Sequence, residues 1–255
     1  MSGTQSYPEL GGRVAVVTGA AQGIGRAIAT RLAGEGCRLA LVDIQDEACA
    51  DVAREIVDRG GAARAFHCDV AREEHVKTTV ALVVEEWGDI DILINNAAVL
   101  TLTSFEDLTV DEWDGVMAVN LRGPFLLSQA VAPHMRKRGW GRIIQMSADA
   151  GQAGAMFFGT HWSVSSAGLI NLTKCLALRL APHGITVNAV ALSAIESPQL
   201  HALGPQVLKD LPKHFPVGRV GRPEEAAAVV AFLCSEGAGF INGATIDVNG
   251  GALMR

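Results

Sequence analysis

The chain has 255 residues, 49% hydrophobic and 19% charged, with 28 glycines and a formal net charge of −6. This length suits one large α/β domain with a sizeable core, and an acidic balance without long Lys or Arg runs argues against nucleic acid or an anionic membrane as a partner. Cys37, Cys49, Cys68, Cys175 and Cys234 show no CxxC spacing and no cluster with histidine; they predict reduced core residues and no metal site. The opening MSGTQSYPELGG lacks a basic start followed by an apolar run. It predicts an N-terminal tail over 1–12 ahead of a domain over 13–255. No stretch approaches the ~18 apolar residues of a membrane span, so the expectation is a cytoplasmic protein.

In chain order, short β-branched runs at 13–18, 38–43, 62–68, 91–95, 141–146, 184–190 and 244–248 predict seven strands. Between them, apolar residues recur every three or four positions over 23–36, 46–59, 72–87, 111–138 and 223–235, the spacing of helices. Such alternation predicts right-handed βαβ units and a parallel sheet with helices on both faces. The stretch 193–216 has no such period and predicts a loop that serves as a substrate lid.

The first strand runs into TGAAQGIG at 18–25. Gly19, Gly23 and Gly25, with Gln22 and Ile24 between them, suit a tight turn, close approach of backbone amides to a pyrophosphate, and a helix N-terminus that favours negative charge. Asp43 closes the second strand, where a carboxylate can accept from both hydroxyls of an adenosine ribose and repel a 2′-phosphate. The expected cofactor is NAD, and Asp46 is the expected cap of the helix that follows. Asp69, followed by Val70, fits either a contact to adenine or a cap on the next helix.

Taken together, Thr18 to Gly25, Asp43, Asp69-Val70, Asn95-Asn96-Ala97-Ala98, Asn120 within VNLRGPFLLSQAV, GRII at 141–144, ITVNAVA at 185–191, GRVGRPEEAA at 218–227 and INGATIDVNGG at 241–251 resemble the short-chain dehydrogenase/reductase family over nearly the whole chain. The resemblance implies a single Rossmann-like, doubly wound α/β domain with a seven-stranded parallel sheet. It also implies a homotetramer or dimer, a small-molecule substrate, and Asn96 and Ala97 in the cofactor cleft.

The family's site is built from Asn, Ser, Tyr and Lys. Asn120 matches the first, but the serine position falls on Ala148, the tyrosine position on Trp162 and the lysine position on Ser166, with one extra residue between Ala148 and Trp162. Indole N–H does not ionise usefully near neutral pH, and a serine brings no positive charge. Polar candidates flank the vacant positions: Ser147, Asp149 and His161, of which His161 is the preferred surrogate acid/base, oriented by a carboxylate. Alternatively, His161 caps the helix starting near Trp162 and Asp149 faces solvent. The family's Pro-Gly after the sixth strand becomes Leu192-Ser193, while Ile195 and the Ser197 hydroxyl are retained for the carboxamide and phosphates.

Three functions fit these residues. The first is an atypical NAD(H)-dependent oxidoreductase on a small or hydrophobic alcohol or carbonyl. The second is a redox-neutral isomerase, dehydratase or cyclase, with Trp162, Met156, Phe157 and Phe158 lining an apolar cleft. The third is a non-catalytic NAD-binding protein.

Overall fold

The computed structural model describes residues 6–154, 159–202 and 204–254, apart from the Gln199 side chain. Seven strands form one sheet: β1 (Val14–Thr18), β2 (Arg38–Asp43), β3 (Ala62–His67), β4 (Ile92–Asn95), β5 (Gly141–Ala148), β6 (Ile185–Leu192) and β7 (Thr245–Val248). Their order is β3-β2-β1-β4-β5-β6-β7, and every neighbouring pair is parallel. Every residue of β1, β4 and β6 is buried. That is why these strands read as continuous apolar runs rather than alternating ones: both faces are covered.

Successive side chains of a strand enter opposite layers. Ile92 and Ile94 join a cluster with Ile28 and Leu32 of α1 (Gly23–Gly34), Val52 and Ile56 of α2 (Asp46–Asp58), and Val230 and Leu233 of α10 (Pro223–Cys234). Leu93 joins the opposite cluster, with Val76, Val80 and Val83 of α3 (Glu73–Trp87), Leu127, Val131 and Met135 of α5 (Gly123–Arg138), and Leu180 of α7 (Thr160–Leu180). Each fully buried Leu, Ile or Val contributes about 1.5–3 kcal/mol relative to exposure, so the two layers supply the main drive for folding.

Three expectations change. The 111–138 helix divides into α4 (Val110–Met117), a π-helical turn (Ala118–Arg122) and α5. Asn120 lies in that turn, and its side chain grips the Val99 backbone at both ends, with Oδ1 accepting from Val99 N–H and Nδ2 donating to its carbonyl, each at 2.9 Å. Helical periodicity alone does not reveal such a bulge, which often marks a functional position.

The 193–216 stretch is not a loop. It holds α8 (Pro198–His201), α9 (Pro205–Asp210) and a 3₁₀ turn (Leu211–His214), each with a proline in its first turn. Proline's fixed φ and missing N–H suit a helix start, and elements this short show no period. The N-terminal segment also packs from Tyr7 onward: Tyr7 and Leu10 belong to the first cluster, and Glu35 accepts from Tyr7 N–H at 2.6 Å.

Of the cysteines, Cys37, Cys49, Cys68 and Cys234 are buried, whereas Cys175 is exposed. Burial pushes the Cys37 and Cys49 thiols up to about 12. Among the described residues, no helix is long and apolar enough to cross a membrane. The segment carrying Met156, Phe157 and Phe158 lies outside the described residues.

Candidate active site

A cleft of about 340 Å³ opens at the C-terminal ends of β1, β2, β4, β5 and β6. Strand order reverses between β1 and β4, and the crevice beyond such a switch point is where open parallel sheets bind ligands. Its volume suits a sizeable organic molecule.

At one end is the glycine-rich turn. Gly19 has φ +64°, a region that favours glycine, and a Cβ there would lie 2.9 Å from the Asn96 amide nitrogen. A Cβ on Gly25 would collide with the Gly19 carbonyl oxygen, so the start of α1 touches the turn only because no side chain intervenes. Asn96 braces this approach, donating to the Thr18 carbonyl at 2.9 Å and the Gly19 carbonyl at 3.2 Å. Thr18 Oγ1 accepts from the backbone N–H groups of Asn96 and Ala97, tying β4's exit to the turn. Gln22, Gly23 and Ile24 complete this wall, and Ser197 faces it.

Asp43 lines the cleft at the end of β2 and is only 8% exposed. Its Oδ2 accepts from Ala21 N–H and its Oδ1 from Gln45 N–H, both at 3.0 Å. These bonds fix the carboxylate, and each oxygen keeps a lone pair for a further donor. Asp46 is not the expected cap: Gln45 occupies the N-cap of α2, and the Asp46 carboxylate instead pairs with His67 Nδ1 at 2.6 Å. Asp69 lines the cleft beside Val70 and accepts from Ala71 N–H at 3.0 Å, while the N-cap of α3 is Arg72. Asp69 therefore closes a turn rather than capping the helix.

At the other end, Ala148 and Asp149 at the end of β5 meet Leu192 and Ser193 at the end of β6 and Trp162, Ser165, Ser166 and Leu169 of α7. Trp162 and Ser166 are one helical turn apart, so they present to the same side. His161 precedes Trp162 by about 100° of helix rotation and does not line the cleft. It is fully buried, with Nε2 2.5 Å from Thr101 Oγ1 and 3.4 Å from Glu112 Oε1. The preferred surrogate is thus a packing residue that ties the 99–103 segment and α4 to α7. Neither its expected catalytic placement nor a cap accounts for it: Gly159 holds the N-cap position.

Asp149 does line the cleft, contrary to the solvent-facing alternative. Burial pushes its carboxyl above the ordinary carboxylate range, opposed by hydrogen bonds from the Ser193 side chain and the Ala150 backbone; nearby Asp247 adds to the rise. Ser147 is committed elsewhere, donating to the Ser166 carbonyl at 3.1 Å. Asn120, held on Val99, fixes the wall next to Ala98 and Val99.

The altered segment after β6 is firmly held. Ile195 bridges to Gly221, Gly221 N–H donates to the Ala194 carbonyl at 3.0 Å, and Glu196 N–H donates to the Gly221 carbonyl at 2.9 Å. Ser197 Oγ caps α8, accepting from Leu200 N–H at 3.1 Å. Periodicity and motifs did not point to Thr101 or Glu112, because their contacts with His161 join segments distant in the chain. For Ser193, its place beside the Leu192 departure was the available signal.

The glycine cradle that a Cβ would fill, together with the fixed Asp43 carboxylate, fits the pyrophosphate and adenosine of a dinucleotide. The chain's single tyrosine is Tyr7, which packs beside Glu35 and Arg31 in the N-terminal segment. No tyrosine is therefore available to the cleft. This is a Rossmann-like α/β protein with a cleft at its switch point.

A family model described as Enoyl-(Acyl carrier protein) reductase matches residues 19–252. The chain is 39% identical over 247 residues to the short-chain reductase protein NovJ of Streptomyces niveus, covering 93% of each chain. It is 38% identical to the D-threitol dehydrogenase of Mycolicibacterium smegmatis, covering 96% of this chain and 95% of that one. A crystal structure of a short-chain type dehydrogenase/reductase from Mycobacterium marinum superposes with a TM-score of 0.93 at 31% identity, covering 96% and 97% of the two chains. The chain belongs to the short-chain dehydrogenase/reductase family.

Proposed function

We propose that this protein is an NAD(H)-dependent oxidoreductase that interconverts an alcohol and a carbonyl on a small molecule, with an atypical reacting end in which Asp149 handles the proton. The observation that carries the cofactor choice is Asp43, whose two oxygens are already positioned by Ala21 and Gln45 backbone N–H groups. A buried carboxylate there accepts ribose hydroxyls and repels a 2′-phosphate. When bound, the nicotinamide supplies the hydride acceptor or donor.

The chain's own residues do the rest. The glycine turn and Ser197 hold the phosphates, Ile195 and the segment pinned by Gly221 position the carboxamide end, and Trp162 and Leu192 exclude water. Asp149 is the ionisable group beside Ala148, Trp162 and Ser166, and its raised carboxyl pKa brings it closer to working pH, which favours acid/base transfer. In the oxidative direction the substrate's C–H leaves as hydride, its O–H proton passes to Asp149, and a carbonyl forms.

Turnover followed by absorbance at 340 nm across an alcohol and carbonyl panel tests this reading. Asp149→Asn is expected to lower kcat by roughly 10²–10⁴ with little change in cofactor affinity. Full turnover in that variant would remove Asp149 from the chemistry. The same reading carries the expectations of a cytoplasmic location and a homo-oligomer.

A further inference from the structure

The cleft has an unusual charge balance. Its described lining includes three carboxylates, Asp43, Asp69 and Asp149, and no Lys, Arg or His. Asp43 and Asp69 stand at the ends of β2 and β3, while Asp149 stands at the end of β5, three strand intervals from β2. At about 4.8 Å per interval that is about 14 Å, so Asp149 acts locally on whatever occupies the β4–β6 half. Around it are Ser166, Trp162, Ser193 and Leu192, which carry no charge. Asp247 on β7, which accepts from Gln152 of α6 (Ala150–Ala153) at 2.6 Å, adds a second carboxylate behind it.

We propose that the reacting end of this cleft discriminates between redox forms, holding the oxidised, cationic nicotinamide in preference to the neutral reduced ring, with the Asp149 carboxylate as the discriminating group and the Trp162 indole as a compatible neighbour. The inference rests on the nicotinamide cofactor proposed above. Its physical basis is simple: two redox forms share the adenosine and pyrophosphate contacts, which cancel in the comparison, and differ by one positive charge on the ring. A low-dielectric pocket whose nearby fixed charges are negative stabilises only the charged form. An indole face likewise attracts a cation more strongly than a neutral ring of the same shape. The consequence is a resting state loaded with the oxidised cofactor and poised to accept hydride from an alcohol.

Calorimetric titration of the intact protein with NAD⁺ and with NADH, at one pH and ionic strength, tests this without any turnover. The expected result is NAD⁺ bound about fivefold or more tighter than NADH. Raising pH should tighten NAD⁺ as Asp149 ionises and leave NADH unchanged. Asp149→Asn should bring the two affinities together. Ser166→Lys, which places a cation at the same end, should reverse the preference and serves as an independent variant if Asp149→Asn does not fold. Equal affinities in the wild-type protein, or tighter NADH, overturn the inference while leaving cofactor use intact. Binding of neither form overturns the cofactor reading itself.

Discussion

Asp43 carries the clearest residue-scale consequence. Its carboxylate is buried and shared between two backbone donors, so removing it acts twice. Asp43→Ala is expected to weaken NAD binding by about tenfold or more through lost charged hydrogen bonds. It should also lower stability by about 1–3 kcal/mol because Ala21 and Gln45 N–H groups lose their partner. Calorimetry and urea melts read the two effects separately; unchanged affinity would remove Asp43 from the ribose site. The position of Asp43 at the cleft was legible in the sequence because it closes a predicted strand that follows a glycine-rich turn. His161 was not legible in the same way. A single residue's offset on a helix decides whether a side chain enters a cleft or a core, and that offset depends on where α7 starts, at Thr160.

Among the elements, α10 offers a test of charge at a helix start. Glu225 accepts from Arg222 N–H at 2.8 Å and takes a two-point bond from Arg219, at 2.8 and 2.6 Å. The Arg219 side chain, followed by the Arg222 backbone, holds its carboxyl down at about 2. Because the folded value is depressed, the stabilisation is present above the unfolded value near 4.5 and is lost as pH falls through about 2. Urea melts from pH 5 to pH 2 should therefore show a loss that Glu225→Gln lacks. A parallel fall in both proteins would assign the acid sensitivity elsewhere. Helix and strand bounds were mostly readable, since β2 matches its 38–43 expectation and α2 ends one residue short of 59. The three short helices after Ser197 were missed because four to six residues complete too little of a 3.6-residue period to register.

At the scale of the whole molecule, α4, α5 and α7 leave a groove lined by Met117, Leu121, Phe125, Leu172 and Cys175, with Phe125 42% exposed. Light scattering is expected to give a mass at least twice the 26.8 kDa of one chain, and Phe125→Glu is expected to lower it. A wild-type mass of one chain would exclude the oligomer. The sequence by itself determined the sheet, its parallel sense and the glycine turn at one end of the cleft, because these depend on local periods, glycine's missing side chain and short-range spacing. It also put Ala148, Trp162 and Ser166 where the family's Ser, Tyr and Lys are expected, and all three line the cleft. Only the tertiary structure decided that Asp149 reaches the cleft while His161 locks Thr101 and Glu112 to α7, and that Asn120 spends both ends of its amide on Val99. Those outcomes arise where segments distant in the chain meet, and contact between such segments is set by packing rather than by any pattern along one of them.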